Sequence, residues 1–208
     1  MKFLSYDSKF TQFLVKLYNC CYLNLLWGVC SLPIVTVGAA TAALYDVTLR
    51  MARGAEPSVT RHFFKAFREN FRQATILWLV MLGLGCLLAF DVAILYQIRG
   101  QGSSLLYMAG LAAVILGTVV YVLVLLYLFP LVASVHNSNF AMLRNALLLG
   151  IRYLPYSILL LMIHVGMLLA VLILFTPLML LGAGGCALLG SYLLNRIIQS
   201  CASRPEST

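Results

Sequence analysis

The sequence predicts an all-α membrane protein, a polytopic helix bundle of about six membrane helices with cytoplasmic amphipathic helices. The chain has 208 residues, of which 62% are hydrophobic and 10% are charged, and its mean hydropathy is +0.98. Soluble domains carry about 25% charged residues. Because one helical crossing takes about 20 apolar residues, we expect a single membrane domain over residues 1–208 and no sizeable soluble domain.

The apolar runs, taken in order, place the predicted helices. The first run ends at Pro33, two long runs flank a polar loop that begins at Arg99, and no charged residue occurs between Pro155 and Asn195. We therefore predict crossings, the second of them short, at about 11–32, 39–53, 74–98, 104–129, 155–175 and 178–198. Amphipathic periodicity predicts interfacial helices at about 60–72 and 138–152.

A turn is predicted between the first two crossings. Pro33 has no backbone N–H, and Gly38 tolerates left-handed backbone geometry. If the short helix after this turn returns to the starting side, only Arg99 among the 14 Lys and Arg residues lies on the opposite side. The positive-inside rule therefore places both termini in the cytoplasm.

The formal net charge of +8 is interpreted as a membrane signal, and no nucleic-acid partner is expected. Lys and Arg lie beside apolar runs, where they set topology and attract anionic lipid headgroups. The 6 cysteines form no C-x-x-C pair, and all but Cys201 lie in apolar runs. Such cysteines behave as small hydrophobes, so we expect no metal site and no cofactor.

The segment from Thr60 to Thr75 has the most specific local pattern. Four cations at i, i+4, i+7 and i+11 form a basic helical stripe: Arg61, Lys65, Arg68 and Arg72. Three aromatic residues fall on roughly the opposite face: Phe63, Phe67 and Phe71. One interpretation is an anchor, with rings in the acyl boundary and cations among anionic headgroups. The other is docking to a cytoplasmic partner through the same face.

Three ionisable residues within predicted crossings are candidate functional residues, since such groups are costly in the bilayer. Asp46 has Arg50 at i+4, a spacing suited to an ion pair. Asp91 lies close enough to Arg99 to pair with it, and His164 is placed to bond a neighbouring helix or relay protons. No second acidic residue occurs at matched depth, which disfavours a proton or cation pathway.

Two further patterns concern architecture. Small residues four apart favour close helix packing inside the bundle over dimerisation: Gly182, Cys186 and Gly190, with Ala183, Ala187 and Ser191 beside them. The pattern F-x-x-[FL]-R-x-x-[FL] occurs from Phe64 and again from Phe140. Either an internal duplication or chance amphipathic periodicity explains this pair.

The patterns of common enzymes are absent from the sequence. No G-x-x-x-x-G-K-[ST], H-E-x-x-H or G-x-S-x-G occurs. No nucleophile, base and metal-ligand set is found by spacing. We therefore expect that the protein is not an enzyme.

Three stretches resemble a known family: "DSKF" from Asp7, "LNLLWGVCSLPIVTVGAATAALYDVTLRMARG" from Leu23 and "HFFKAFRENFRQATILWLV" from His62. They are similar to the YesL-like family of bacterial integral membrane proteins. Its P-I-x-T-x-G core falls on Pro33, Ile34, Thr36 and Gly38. Its F-F-x-x-F-x-x-N-F core falls on Phe63, Phe64, Phe67, Asn70 and Phe71. The resemblance implies a bacterial cell membrane and no catalytic residues.

Members of that family have no established activity, but their genes often lie near those for carbohydrate uptake. The resemblance thus implies a non-enzymatic accessory of ABC-type carbohydrate uptake or its sensing, with importer subunits as partners. The basic stripe itself suggests the helix from Arg61 to Arg72 as the contact. The alternative is an autonomous small-solute transporter or channel, suggested by the broken helix between Pro33 and Gly38. Sparse intramembrane polar groups count against that alternative.

Overall fold

The computed structural model describes residues 9–55, 58–98, 105–174 and 182–202, and the regular structure in these ranges is helical. The seven α-helices of this part of the chain are α1 (Lys9–Cys30), α2 (Val37–Ala52), α3 (Val59–Gln97), α4 (Leu105–Ser134), α5 (Asn139–Arg152), α6 (Leu154–Leu174) and α7 (Gly182–Ala202). The all-α prediction is confirmed. The loop from Arg99 and the connection between the last two predicted crossings lie outside the described residues.

Four helical segments of the described ranges are long and apolar enough to cross a membrane: Ile34–Ala52, Val59–Gln97, Tyr107–Ser134 and Leu154–Ile173. They correspond to the second, third, fourth and fifth predicted crossings. The first and last predicted crossings, 11–32 and 178–198, overlap α1 and α7. The count of six therefore stays a prediction.

A turn separates α1 from α2, as predicted. Helix α1 ends at Cys30, and Pro33 is extended, with φ −75° and ψ 119°, before a short 3₁₀ turn at Ile34–Thr36. The Thr36 hydroxyl lies 2.6 Å from the carbonyl oxygen of Cys30 and 2.8 Å from that of Pro33. This side chain thus satisfies carbonyls that the interrupted helix leaves free.

Gly38 is required for close packing, so the predicted role in a left-handed turn is wrong. The residue lies inside α2, and the one glycine with positive φ in the described chain is Gly54. A Cβ atom on Gly38 would lie 2.5 Å from both the carbonyl oxygen of Ala74 and Cβ of Trp78. The absence of a side chain lets the backbones of α2 and α3 approach each other.

Helix α2 lies at the centre of the molecule. It packs against α1, α3, α4 and α7, and most of its residues are buried, including Ala39, Ala42, Ala43 and Val47. Small side chains allow several neighbours to approach one short helix. Helices α1, α3, α4 and α7 are therefore organised around α2, while α5 and α6 pack on α4 and α7.

Helix α3 joins two elements that the sequence predicts separately. The predicted interfacial helix at 60–72 and the predicted crossing at 74–98 form one helix of 39 residues. Its first half packs against α2, while its second half pairs with α4 and is largely exposed. A Cβ atom on Gly85 would lie 2.9 Å from the hydroxyl of Tyr121, which shows how closely α3 and α4 pack.

Pro130 lies inside α4, just beyond the predicted crossing at 104–129, and the helix continues to Ser134. The Ser134 hydroxyl donates a 2.7 Å hydrogen bond to the Pro130 carbonyl oxygen. Burial of Phe129, Leu131 and Val132 against the core stabilises this turn despite the missing N–H.

Both copies of the pattern from Phe64 and Phe140 are helical and bury the same face. In each copy the second, sixth and tenth residues after the first Phe are buried: Ala66, Asn70 and Ala74 in α3, and Met142, Ala146 and Gly150 in α5. The copies differ afterwards, because α3 continues to Gln97 while α5 ends at Arg152 and α6 begins at Leu154. A shared buried face fits both an internal duplication and chance amphipathic periodicity, so both interpretations stand.

Candidate functional site

A charged pocket of about 220 Å³ lies between α2, α3 and the end of α4. Its ionisable lining residues are Asp46, Arg50, His62, Lys65, Glu69 and His136. Both signs of charge are represented, so the pocket has no strong preference for a ligand of one sign. Among the described residues, no group of three or more His, Cys, Asp and Glu side chains is arranged to hold a metal ion.

The predicted ion pair between Asp46 and Arg50 is confirmed and forms one wall of this pocket. Nε of Arg50 lies 3.0 Å from Oδ2 of Asp46, and the second contact, from a terminal guanidinium nitrogen to Oδ1, is 3.1 Å. The pairing is bidentate, the geometry that holds an Arg side chain most firmly. The Asp46 side chain is 13% exposed and that of Arg50 is 49% exposed.

The basic stripe is exposed on α3, as its periodicity predicts. Arg61, Lys65, Arg68 and Arg72 all reach the surface. Nζ of Lys65 lies 3.9 Å from Oε1 of Glu69, a loose contact between exposed groups. The other three cations form no ion pair within the described part of the chain. Three unpaired positive charges thus remain available to an external anion.

The aromatic residues opposite the stripe do not form one contact surface, which corrects the prediction for Phe63. Its side chain is 0% exposed and belongs to the core beside α2. Phe67 is partly buried against the same core, and only Phe71 is substantially exposed, at 40%. Because the first half of α3 packs on α2, its apolar face is used inside the protein. Phe63 is therefore unavailable to lipid or a partner.

A second cavity, of about 750 Å³, lies between α1, α2, α6 and α7 and is mainly apolar. Its polar lining includes Asn24, Thr41, Tyr45 and His164. The Asn24 side-chain oxygen accepts a 3.1 Å hydrogen bond from the backbone N–H of Ala183. The Thr41 hydroxyl accepts one of 3.1 Å from the indole N–H of Trp27. These bonds join α1 to α7 and α2.

The three predicted intramembrane candidates do not meet at one site. Asp46 lines the charged pocket, His164 lines the apolar cavity, and Asp91 lines neither of these two. Nδ1 of His164 is 2.8 Å from the carbonyl oxygen of Leu160 on its own helix. The predicted partner of Asp91, Arg99, lies outside the described residues.

Polar contacts between α2 and α7 were not predicted. The hydroxyls of Thr48 and Ser191 are 2.9 Å apart and buried. Asn195 donates a 3.2 Å hydrogen bond to the carbonyl oxygen of Leu49 and accepts one of 3.0 Å from Arg53. One signal for these contacts is present in the sequence, the row of small residues that contains Ser191. That row predicts close helix packing but does not identify the partner helix. That row does pack internally, since Cys186, Ala187 and Ser191 are buried.

Comparisons with known proteins point to bacterial proteins of unknown function. Residues 20–92 match the family model described as "Protein of unknown function, DUF624". A curated relative, "Uncharacterized protein YteU" of Bacillus subtilis (strain 168), is 27% identical over 150 residues, which cover 70% of this chain. The alignment covers 65% of that relative, just under two thirds of its length. No solved structure matches. The matched segment contains the turn, α2 and the basic stripe.

Proposed function

We propose that this chain is a non-enzymatic, YesL-like accessory of ABC-type carbohydrate uptake or its sensing in a bacterial cell membrane. The observation that carries the proposal is the exposed basic stripe of α3, in which Arg61, Arg68 and Arg72 have no ion pair within the described chain. In this proposal, the stripe docks against acidic side chains of an importer subunit on the cytoplasmic side, where both termini also lie.

The structure supports docking because the stripe belongs to a firmly held part of the molecule. Phe63, Ala66 and Asn70 are buried on the opposite face of the same turns, and α2 packs along them. The helix that carries the stripe also continues without a break into the apolar second half of α3. A rigid charged face loses little conformational entropy on binding, which favours association.

Binding to anionic lipid is the competing use of the same cations. Lipid headgroups attract exposed Lys and Arg at about 1 kcal/mol per residue near the surface. The predicted lipid anchor also needs aromatic side chains that reach the acyl boundary, and one of its three, Phe63, is fully buried. This burial makes a protein partner the better match for the stripe.

The test is purification of the tagged protein from its native membranes after light cross-linking, followed by mass spectrometry. The double variant Arg68→Gln with Arg72→Gln removes two cations of the stripe. The matched control, Arg144→Gln with Arg152→Gln, removes two exposed cations from α5. The control has the same change in net charge and a similar helical setting.

We expect the wild type and the α5 control to recover an importer permease or ATPase. We expect the α3 variant to lose at least about 90% of it, because each charge contributes to the encounter and the bound contact. Recovery of the wild-type protein alone would contradict the proposal. A flux assay in liposomes would then test the autonomous transporter.

A further inference from the structure

The apolar cavity between α1, α2, α6 and α7 has the dimensions of a ligand site. Its volume of about 750 Å³ falls within the range of about 300–1,000 Å³ that is typical of small-molecule pockets. Trp27, Leu44, Met167 and Leu168 contribute apolar walls. One wall is α6, a candidate span whose surface is largely exposed apolar side chain. Three lining side chains, Leu25, Val29 and Leu168, are also exposed on the surface, so the cavity is open there to molecules dissolved in the bilayer.

Two polar groups of the cavity lack partners within the described chain. Tyr45 is only 6% exposed, yet its hydroxyl has no hydrogen bond to a described residue. Because a carbonyl oxygen only accepts, Nδ1 of His164 donates the hydrogen bond to Leu160, and Nε2 has no partner in the same ranges. Both groups can therefore form a hydrogen bond with a polar group of a molecule in the cavity.

We propose that the cavity binds an uncharged long-chain lipid whose head carries a hydroxyl group. A hydroxyl both accepts and donates, so it matches the Tyr45 hydroxyl as donor and Nε2 of His164 as acceptor. The long apolar body of the lipid covers the remaining walls. This proposal concerns a different surface from the basic stripe and does not depend on a carbohydrate importer.

The described lining of the cavity carries no charged side chain, which selects against phospholipid headgroups and fatty-acid anions. None of the described residues that line it is Asp, Glu, Lys or Arg. Burying an ionised group without a countercharge is strongly unfavourable. An alcohol is therefore preferred over the carboxylate of the same chain length.

Gly28 offers a way to fill the cavity without disturbing the fold. It lines the cavity, and a Cβ atom there would meet nothing within 4 Å. Gly28→Leu thus extends a side chain into open space. Gly83→Leu is the matched control, because Gly83 lies on exposed α3, away from the cavity, and also has nothing within 4 Å.

The experiment is photolabelling of the purified full chain with hexadecanol that carries a diazirine in its alkyl chain, followed by peptide mapping. We expect saturable labelling of lining residues from α1 and α6. Gly28→Leu should reduce this labelling at least about tenfold, while Gly83→Leu leaves it unchanged. Tyr45→Phe should weaken the apparent affinity about fivefold, the value of one neutral hydrogen bond. Tyr96→Phe, at an exposed site, is its control.

Labelling that spreads evenly over exposed helices, or that Gly28→Leu and Tyr45→Phe leave unchanged, would overturn the proposal. Equal competition by palmitate and unlabelled hexadecanol at neutral pH would overturn the preference for an uncharged head. Circular dichroism identifies variants that fail to fold. If Gly28→Leu is one of them, Tyr45→Phe, which only removes an oxygen atom, decides the question.

Discussion

The charged pocket and the apolar cavity lie on different faces of one short helix. Asp46 and Arg50 of α2 line the charged pocket, while Thr41, Leu44 and Tyr45 line the apolar cavity. Tyr45 and Asp46 are adjacent in sequence yet face different sites, because successive helical residues project about 100° apart. A helix of 16 residues thus forms a wall of two sites with opposite chemistry.

The comparison shows what each site requires from its surroundings. The charged pocket is organised mainly by pairs along a single helix, Asp46 with Arg50 and Lys65 with Glu69. The apolar cavity is organised by bonds between helices, such as Asn24 to Ala183 and Trp27 to Thr41. Substitutions that move α2 should therefore affect both sites, whereas substitutions of surface charges should affect only one.

The largest effect is expected from Gly38→Ala. The added methyl group would lie 2.5 Å from a backbone carbonyl oxygen of α3, which cannot move aside as a flexible side chain can. We therefore expect the upper end of the overpacking cost, about 3 kcal/mol. Thermal unfolding in detergent should show a clear fall in Tm. Gly28→Ala is the control, since it meets nothing within 4 Å and gains helix propensity. Equal Tm values for the two variants would show that α2 and α3 do not pack as described.

An intermediate effect is expected where α2 meets α7. Thr48→Val leaves the buried Ser191 hydroxyl without the partner that lies 2.9 Å away, which costs about 1–3 kcal/mol. The double variant Thr48→Val with Ser191→Ala should lose less stability than the two single variants together. Unfolding free energies of the wild type, the two single variants and the double variant give this double-mutant cycle. Strict additivity would argue against the hydroxyl pair.

The smallest effects are expected in the charged pocket. Asp46→Asn weakens a bidentate pair whose Arg50 side chain is half exposed, so the loss of stability should stay near or below about 1 kcal/mol. Glu69→Gln should cause no measurable change, since its 3.9 Å contact with Lys65 is exposed on both sides. Both variants should keep hexadecanol labelling at the wild-type level. Loss of labelling in Asp46→Asn would show that the two faces of α2 are coupled.

Local spacing predicted features of the charged pocket, of the basic stripe and of the turn before α2. The Asp46–Arg50 pair and the basic stripe follow from helical periodicity alone, and the break after Cys30 follows from Pro33. Contacts between distant segments were not predictable in this way. Phe63 lies in a helical pattern that suits lipid equally well, and only its packing beside α2 shows that it is buried.

The apolar cavity was out of reach of the sequence for the same reason. His164 was identified as a candidate because an ionisable group in an apolar run is unusual. Tyr45 gave no comparable signal, since tyrosine is common near membrane boundaries. Its importance arises from a wall that α1, α6 and α7 complete together.

The most direct test of the account uses two variants and two measurements on each. Gly28→Leu fills the apolar cavity, and Arg68→Gln with Arg72→Gln neutralises half of the basic stripe. Hexadecanol labelling and recovery of importer subunits are measured for both. We predict that the first variant loses labelling and keeps the partner, and that the second keeps labelling and loses the partner. Two results would contradict the assignment of two separate sites. One is a folded variant that loses both labelling and the partner, and the other is that both variants keep labelling and the partner.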